Sequence, residues 1–280
     1  MISPRELFLT SWNDFTSRAR TLILINLIPT FTVLGIGFIF GLFAVGGIYG
    51  FLNSFSYSTL LTTLAIILLI LAILVSIVIT SWGQIALLIS VSKKTDVKQS
   101  FVISRKYILN YWWLVFLEGL IITGSFIPFI IPGIMFAVFF IFSHLILVNE
   151  NYKGLNVLIR SREYVRGHWF PIFGRLVLFG LVLFAVQIVE SIIVNKGSRA
   201  VLNFITNLII TPYFTVYLYT LYKDIKKAKG ELAIKLSTKT KALYLLSGIF
   251  GIILVIAAII GLILVYSYFS FPASLDLPTV

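Results

Sequence analysis

The chain has 280 residues, of which 59% are hydrophobic and 11% charged, with a mean hydropathy of +1.05. A soluble domain carries about 25% charged residues to solvate its surface, so that class is excluded. The net charge of +12 leaves a bilayer surface or a nucleic acid as its counterpart, and the lack of cysteine removes disulfide frameworks and thiolate metal sites.

In chain order, Arg5, Arg18 and Arg20 mix with Glu6 and Asp14 ahead of a long apolar run. Neither the length of that run nor its flanks fit a cleaved secretory leader. Seven apolar stretches follow, near 21–48, 59–82, 112–130, 133–149, 169–194, 200–222 and 243–268. Their lengths cluster around the roughly 20 residues that cross a bilayer as a helix. A transmembrane β-barrel would show short alternating segments instead. With the N-terminus inside, the connections on that side hold 20 of the 22 lysines and arginines, leaving Lys196 and Arg199 outside. This is the positive-inside asymmetry. It predicts a plasma-membrane protein with a cytoplasmic N-terminus and, if all seven segments span, a C-terminus outside. The cations then face membrane lipids with anionic headgroups, each charge contributing about 1 kcal/mol there. A nucleic-acid partner is the poorer reading, and none is expected.

Two of the inside segments are alike. "QSFVISRKYILNYWWLVFLEGL" (99–120) and "NVLIRSREYVRGHWFPIFGRLV" (156–177) align without gaps at an offset of 57 residues, matching Ser104 to Ser161, Tyr107 to Tyr164 and Trp112 to Trp169. "LFLTSWNDFTSRARTLILINLI" (7–28) fits more loosely, with Phe15 at the tyrosine position and Leu9, Trp12, Phe15 and Thr16 sharing a face. Each segment predicts an amphipathic helix lying in the interface before the chain dives inward. Trp112, Trp113 and Trp169 would be anchors at headgroup depth, and Gly167 and Pro171 would mark one of the turns. The predicted fold is all-α: a polytopic membrane helix bundle of three hairpins, each preceded by an interfacial amphipathic helix, plus an extra C-terminal transmembrane helix. Residues 1–230 form the six-span core, and 231–280 form a basic linker, the seventh span and a short tail. Outer turns fall at 53–58 and 125–133, the latter with Pro128, Pro132 and Gly133. Small residues predict close packing at Gly37 and Gly41 in the first span, and at Ser247, Gly248 and Gly251 in the last.

The run "IIPGIMFAVFFIFSHLILVNENYKGLNVLIRSREYVRGHWFPIFG" (130–174) resembles a broad group of prokaryotic membrane proteins. That group includes the membrane domain of glycerophosphoryl diester phosphodiesterases and the YciC-like proteins. The matching residues are Pro132-Gly133 opening a span, Glu150 ending it, Gly154, Ser161, and Gly167-His168-Trp169. "TPYFTVYLYTLYKDIK" (211–226) is similar to the closing span of the same group. The resemblance implies the fold. It implies no catalytic or transport residues, and the soluble phosphodiesterase domain of some relatives has no counterpart here.

Ionisable groups inside a bilayer cost a few kcal/mol and are functional candidates by default. Glu118 and Arg175 are equivalent under the 57-residue offset, and the looser first copy puts Asn26 at the same level. The expected polar layer of Asn26, Glu118 and Arg175 would either pair structurally or bind an ion or headgroup; snorkelling of Arg175 to the interface is a further option. His144 has only Ser143 as a close polar neighbour, His168 is read as an interfacial aromatic, and Gln187 and Glu190 are placed to meet Lys196 or Arg199. No zinc-binding HExxH, no GxSxG elbow and no P-loop occurs. No catalytic residue, cofactor or metal is therefore expected, and the chain is read as a non-enzyme. Two functions remain: an accessory or scaffold protein of the cell envelope, or a small transporter or lipid-handling protein that uses the polar layer.

Overall fold

A computed structural model of the chain describes residues 1–53, 58–126, 130–150, 152–193, 196–230 and 238–270. Among them every regular element is helical, and seven helical stretches are long and apolar enough to cross a membrane. The protein is a multi-pass, all-α membrane helix bundle. Of the outer turns expected at 53–58 and 125–133, residues 54–57 and 127–129, with Pro128, lie outside the described residues.

Helix α1 (Pro4–Thr16) starts at Ser3, whose hydroxyl accepts the Glu6 N–H, with Pro4 in the first turn where no N–H is missed. It packs lengthwise on α10 (Lys196–Lys229): Phe8 meets Tyr217, and Trp12 meets Tyr213 edge-on. Helices α2 (Ala19–Asn53) and α3 (Ser58–Lys93) form the first hairpin. Their closest approach is at Gly83, where an added Cβ would stand 2.3 Å from the ring of Pro29. Asp96 caps α4 (Val97–Ser104), and a 3₁₀ turn, Arg105–Tyr107, leads into α5 (Ile108–Phe126).

Burial divides the long helices into two zones. In α3, Ile66, Ile70, Ile73 and Ile77 are exposed, whereas Ile85, Ala86, Leu87, Ile89, Ser90 and Val91 are buried. In α10, Val201, Ile205 and Ile209 are exposed, whereas Val216, Tyr217, Leu221, Tyr222 and Ile225 are buried. Exposed apolar side chains on this scale are solvated by lipid. The protein therefore consists of apolar legs rising from one packed body, and that body also holds α1, α4 and most of the basic residues. This is why α3 continues to Lys93 and α10 to Lys229, beyond the expected ends at 82 and 222: Ile85, Ile89 and Val91 of α3 and Ile225 of α10 are core of the body.

The fourth span is broken. Helix α6 (Ile130–Phe139) opens with Pro132 in its first turn, and α7 (Ser143–Asn149) resumes after a turn at 140–142. Helix α8 (Leu155–Val165) sits between Gly154 (φ +56°) and Gly167 (φ +81°), both in the left-handed region that favours glycine. It precedes its span as expected, but its partners are other helices: Val157, Leu158, Ile159, Ser161, Tyr164 and Val165 are all buried. Ser161 repairs the break. Its hydroxyl donates to Phe139 O at 2.7 Å and accepts the Phe142 N–H at 3.2 Å.

A buried serine recurs at each of the three short helices. Ser11, Ser104 and Ser161 are each fully buried, and of the residues four positions either side Leu7, Phe15, Ser100, Val157 and Val165 are buried and Ile108 is half-buried. At the expected offset of 92 the buried Leu22, Ile25 and Pro29 fall on the buried Leu114, Leu117 and Ile121, while Ser11 lies one residue off Ser104. Of the first copy's expected face only Phe15 is buried, while Leu9 and Trp12 are exposed.

Helix α9 (Trp169–Ile193) pairs with α10 through Phe179 and Phe214, and α11 (Thr238–Ser270) packs on α5. Gly251 makes that contact, since an added Cβ would lie 2.5 Å from Leu120 O and 3.1 Å from Gly124 Cα. Gly248 is buried but has open space at Cβ, and Ser247 lies outside the described side chains. Gly37 and Gly41 do not pack tightly. Nothing lies within 4 Å of a Cβ at either, and both line a lipid-side cleft of ≈ 420 Å³ between α2 and α3.

Gly251→Ala should therefore lower the melting temperature in detergent, by the 1–3 kcal/mol typical of overpacking, while Gly37→Ala stays within about 0.5 kcal/mol. Equal effects at both sites would remove the distinction drawn here. Ser161→Ala, which strands two backbone groups, should cost about 2 kcal/mol or more. Ser104→Ala removes only a bond to its own helix, at Phe101 O, and should cost less.

Candidate functional site

The densest polar cluster forms where α7 ends. Glu150 follows the last residue of α7, and its side chain is only 6% exposed. A carboxylate so placed must be matched by donors. Arg160 Nε reaches Oε2 at 2.6 Å; Tyr164 Oη and Lys226 Nζ reach Oε1 at 2.7 and 2.8 Å; and Tyr222 Oη also donates to Oε1. Arg160 and Tyr164 are one turn apart on α8, as Tyr222 and Lys226 are on α10, so each helix offers two donors on one face. Arg160 also lies over the Tyr152 ring at 5.1 Å. Burial opposes ionisation of Glu150, but hydrogen bonds from Lys226, Tyr222, Tyr164 and Arg160 prevail and hold its pKa down at about 2. Burial and then the bond to Glu150 push the Tyr164 hydroxyl up to about 12, so it serves as a donor across the physiological range.

Further ties close the same end. Arg18 Nη1 donates to Ser90 O and Nη2 to Thr95 O, both at 2.6 Å, capping the last turn of α3. The Ile2 N–H donates to Asp224 at 3.0 Å, and Tyr219 Oη to Ser92 O at 3.1 Å. Lys229 Nζ donates to Glu163 O and to Arg166 O, where α8 ends. These bonds tie α3 and α8 to α10 and fasten Ile2 and Arg18, either side of α1, to α10 and α3.

The three residues expected to form one polar layer are not brought together. Glu118 accepts a hydrogen bond from Ser143 Oγ, and His144 Nε2 stands 3.5 Å from its other oxygen, with the His144 ring against Tyr111. Arg175 donates to Ile2 O and, at 3.2 Å, to Pro171 O, while its own carbonyl accepts Tyr217 Oη at 3.0 Å. Asn26 Nδ2 reaches Leu208 O at 3.5 Å. Glu118 and Arg175 thus serve different neighbours. Of the three tryptophans, Trp112 and Trp113 are exposed, and Trp169 stacks on Phe173 at 4.9 Å and donates to Met135 O at 3.4 Å. At the far end Glu190 is met by Thr206, and Arg199 donates to Ser191 O at 2.9 Å rather than pairing with Glu190. Among the described residues no group of three histidines or carboxylates could hold a metal.

Sequence reasoning passed over the Glu150 knot. Its signal was present in the acidic residue that ends the fourth span and in the Tyr-Lys-Asp sequence near the end of α10, but the partners lie 72 and 76 residues away.

The sign of the Glu150 shift sets a pH dependence. The carboxylate falls from an ordinary 4.5 to about 2, so its stabilisation is complete above about pH 4.5 and is lost as pH drops toward 2. Thermal melts in detergent should show that decline in the parent chain and a flatter profile in Glu150→Gln. At neutral pH Glu150→Gln should cost about 3 kcal/mol, because it leaves Arg160 and Lys226 without their counter-charge; a neutral substitution would refute the bracing role.

No family model matches the chain, and neither a curated protein nor a solved structure does.

Proposed function

We propose that the chain is a non-enzymatic accessory or scaffold protein of the cell membrane, its braced, basic end lying in the cytoplasm against anionic headgroups. The observation that carries this is the Glu150 knot. A catalytic carboxylate needs a free lone pair or a mobile proton near working pH, whereas Glu150 is saturated by four donors and stays ionised. Its chemistry is spent on holding α7, α8 and α10 together. The same end supports the proposed orientation: Arg18, Lys94, Lys98, Arg105, Lys106, Lys153, Lys223 and Lys227 gather there, the pattern that the positive-inside rule assigns to the cytoplasm.

One observation favours the second reading, a small transporter. Glu118, Ser143 and His144 meet beside the broken fourth span, and broken helices with ionisable neighbours are the way transporters build sites within a bilayer. Reconstituted vesicles separate the two. The scaffold reading expects no proton or ion flux above empty vesicles, whereas a flux abolished by Glu118→Gln would establish transport.

Sidedness is testable without background because the chain has no cysteine. In membrane vesicles, Lys98→Cys and Lys227→Cys should be labelled from one side by an impermeant maleimide, and Ser198→Cys from the other. Labelling of Lys98→Cys and Lys227→Cys from opposite sides would end the proposed topology.

A further inference from the structure

Between the start of α5 and the end of α7 lies a pocket of ≈ 210 Å³, lined by Lys106, Tyr107, Asn110, Leu147, Tyr152 and Lys153. Lys93 borders it across the Tyr107 ring: Lys93 Nζ is 5.9 Å and Lys106 Nζ 5.0 Å from the centre of that ring. Lys106 and Lys153 therefore border one small space, and Lys93 stands beside it on the Tyr107 ring. Among the described residues none of the three is paired with a carboxylate, in contrast to Arg160 and Lys226 on Glu150 and Arg166 on Glu163. Like charges brought together repel, so the charge missing from this cluster is negative. Two tyrosine hydroxyls and the Asn110 amide add neutral donors of the kind that complete an anion's oxygens.

The surroundings indicate where that anion comes from. One turn along α5, Leu109 is 84% exposed and Trp113 54% exposed, and Gly154 lies against the Trp113 indole nitrogen. Exposed tryptophan beside lysine is the signature of headgroup depth, and exposed leucine there is wetted by acyl chains.

We propose that this pocket binds the phosphate of an anionic phospholipid, with Lys106 and Lys153 pairing to its oxygens and the acyl chains running along Leu109 and Trp113. The inference rests on the reading that the basic end faces headgroups, and it narrows that reading from a diffuse surface to one site. The pocket is large enough for a headgroup and too small for a whole lipid, so the glycerol and chains stay outside.

Native mass spectrometry of the full chain in detergent tests it, with dioleoyl phosphatidylglycerol, dioleoyl phosphatidylcholine and inorganic phosphate as probes. The glycerol lipid should be retained and the choline lipid should not. Lys106→Gln/Lys153→Gln should weaken retention about 30-fold, the loss expected for two headgroup-level cations, and Lys106→Gln alone about fivefold. Lys98→Gln/Lys227→Gln, which removes two cations of the same end outside the pocket, should leave retention unchanged. All variants should keep the parent melting temperature, since the altered lysines are exposed. Equal weakening by the control pair would reduce the site to general surface charge. Equal retention of the choline lipid would overturn the anion preference, and displacement by equimolar inorganic phosphate would make the ligand a soluble anion. Because binding is read in detergent, its failure is distinguishable from failure of the sidedness and flux measurements.

Discussion

The whole basic end depends on one buried carboxylate. Glu150 sits where the fourth span ends, and its two oxygens take four donors from two further helices. Such an arrangement is needed because lipid offers little else to hold the bundle. Acyl chains are as apolar as leucine, so helices in a bilayer gain nothing from excluding solvent and associate through close packing and polar bonds. The upper legs show the consequence: α2 and α3 diverge around Gly37 and Gly41 to leave a cleft. Their tight contact is lower down, at Gly83 on Pro29, next to the body where buried residues begin.

Two solvents thus act on single helices. The same α3 is bare isoleucine and leucine in one half and closed core in the other, and α10 repeats the pattern. Arg18 and Arg175 both donate within the packed body. Each spends its guanidinium on carbonyls, Arg18 at the end of α3 and Arg175 at Ile2 and Pro171. Backbone acceptors near a membrane surface need donors that water supplies only in part, and a guanidinium supplies several at once.

Features carried by composition and period were legible in the sequence: the class, the span count, the basic end, the three short helices before α2, α5 and α9. Phe15 is buried as Tyr164 is, an apolar match that the pattern carries. Features set by distant partners were not legible. The expected polar layer fails for that reason: Asn26 reaches Leu208 O, Glu118 takes Ser143 and Arg175 donates to Ile2 O, partners that no local pattern reveals. The break at 140–142 left no trace because it contains neither glycine nor proline, and its sequence, Phe-Ile-Phe, suits an unbroken apolar helix. The pocket at Lys106 and Lys153 was hidden because 47 residues of chain separate lysines that each look like ordinary surface cations.

Helix α8 connects these features. Within five residues it supplies Arg160 and Tyr164 to Glu150 and Ser161 to the broken span. The two tasks are coupled, because the backbone groups that Ser161 satisfies, Phe139 O and Phe142 N, flank the turn after which α7 begins. Moving α7 would uncover both groups and pull Glu150 from its donors at the same time. Ser143 and His144, the partners of Glu118, are the first residues of α7. Any motion that changes the surroundings of Glu118 must therefore be transmitted through α8 to the basic surface and to the lysine pocket beside Leu147 and Tyr152. A scaffold gains rigidity from such coupling, and a transporter would have to break it in every cycle, losing several hydrogen bonds worth about 1 kcal/mol each. That cost is the physical argument behind the proposed scaffold reading.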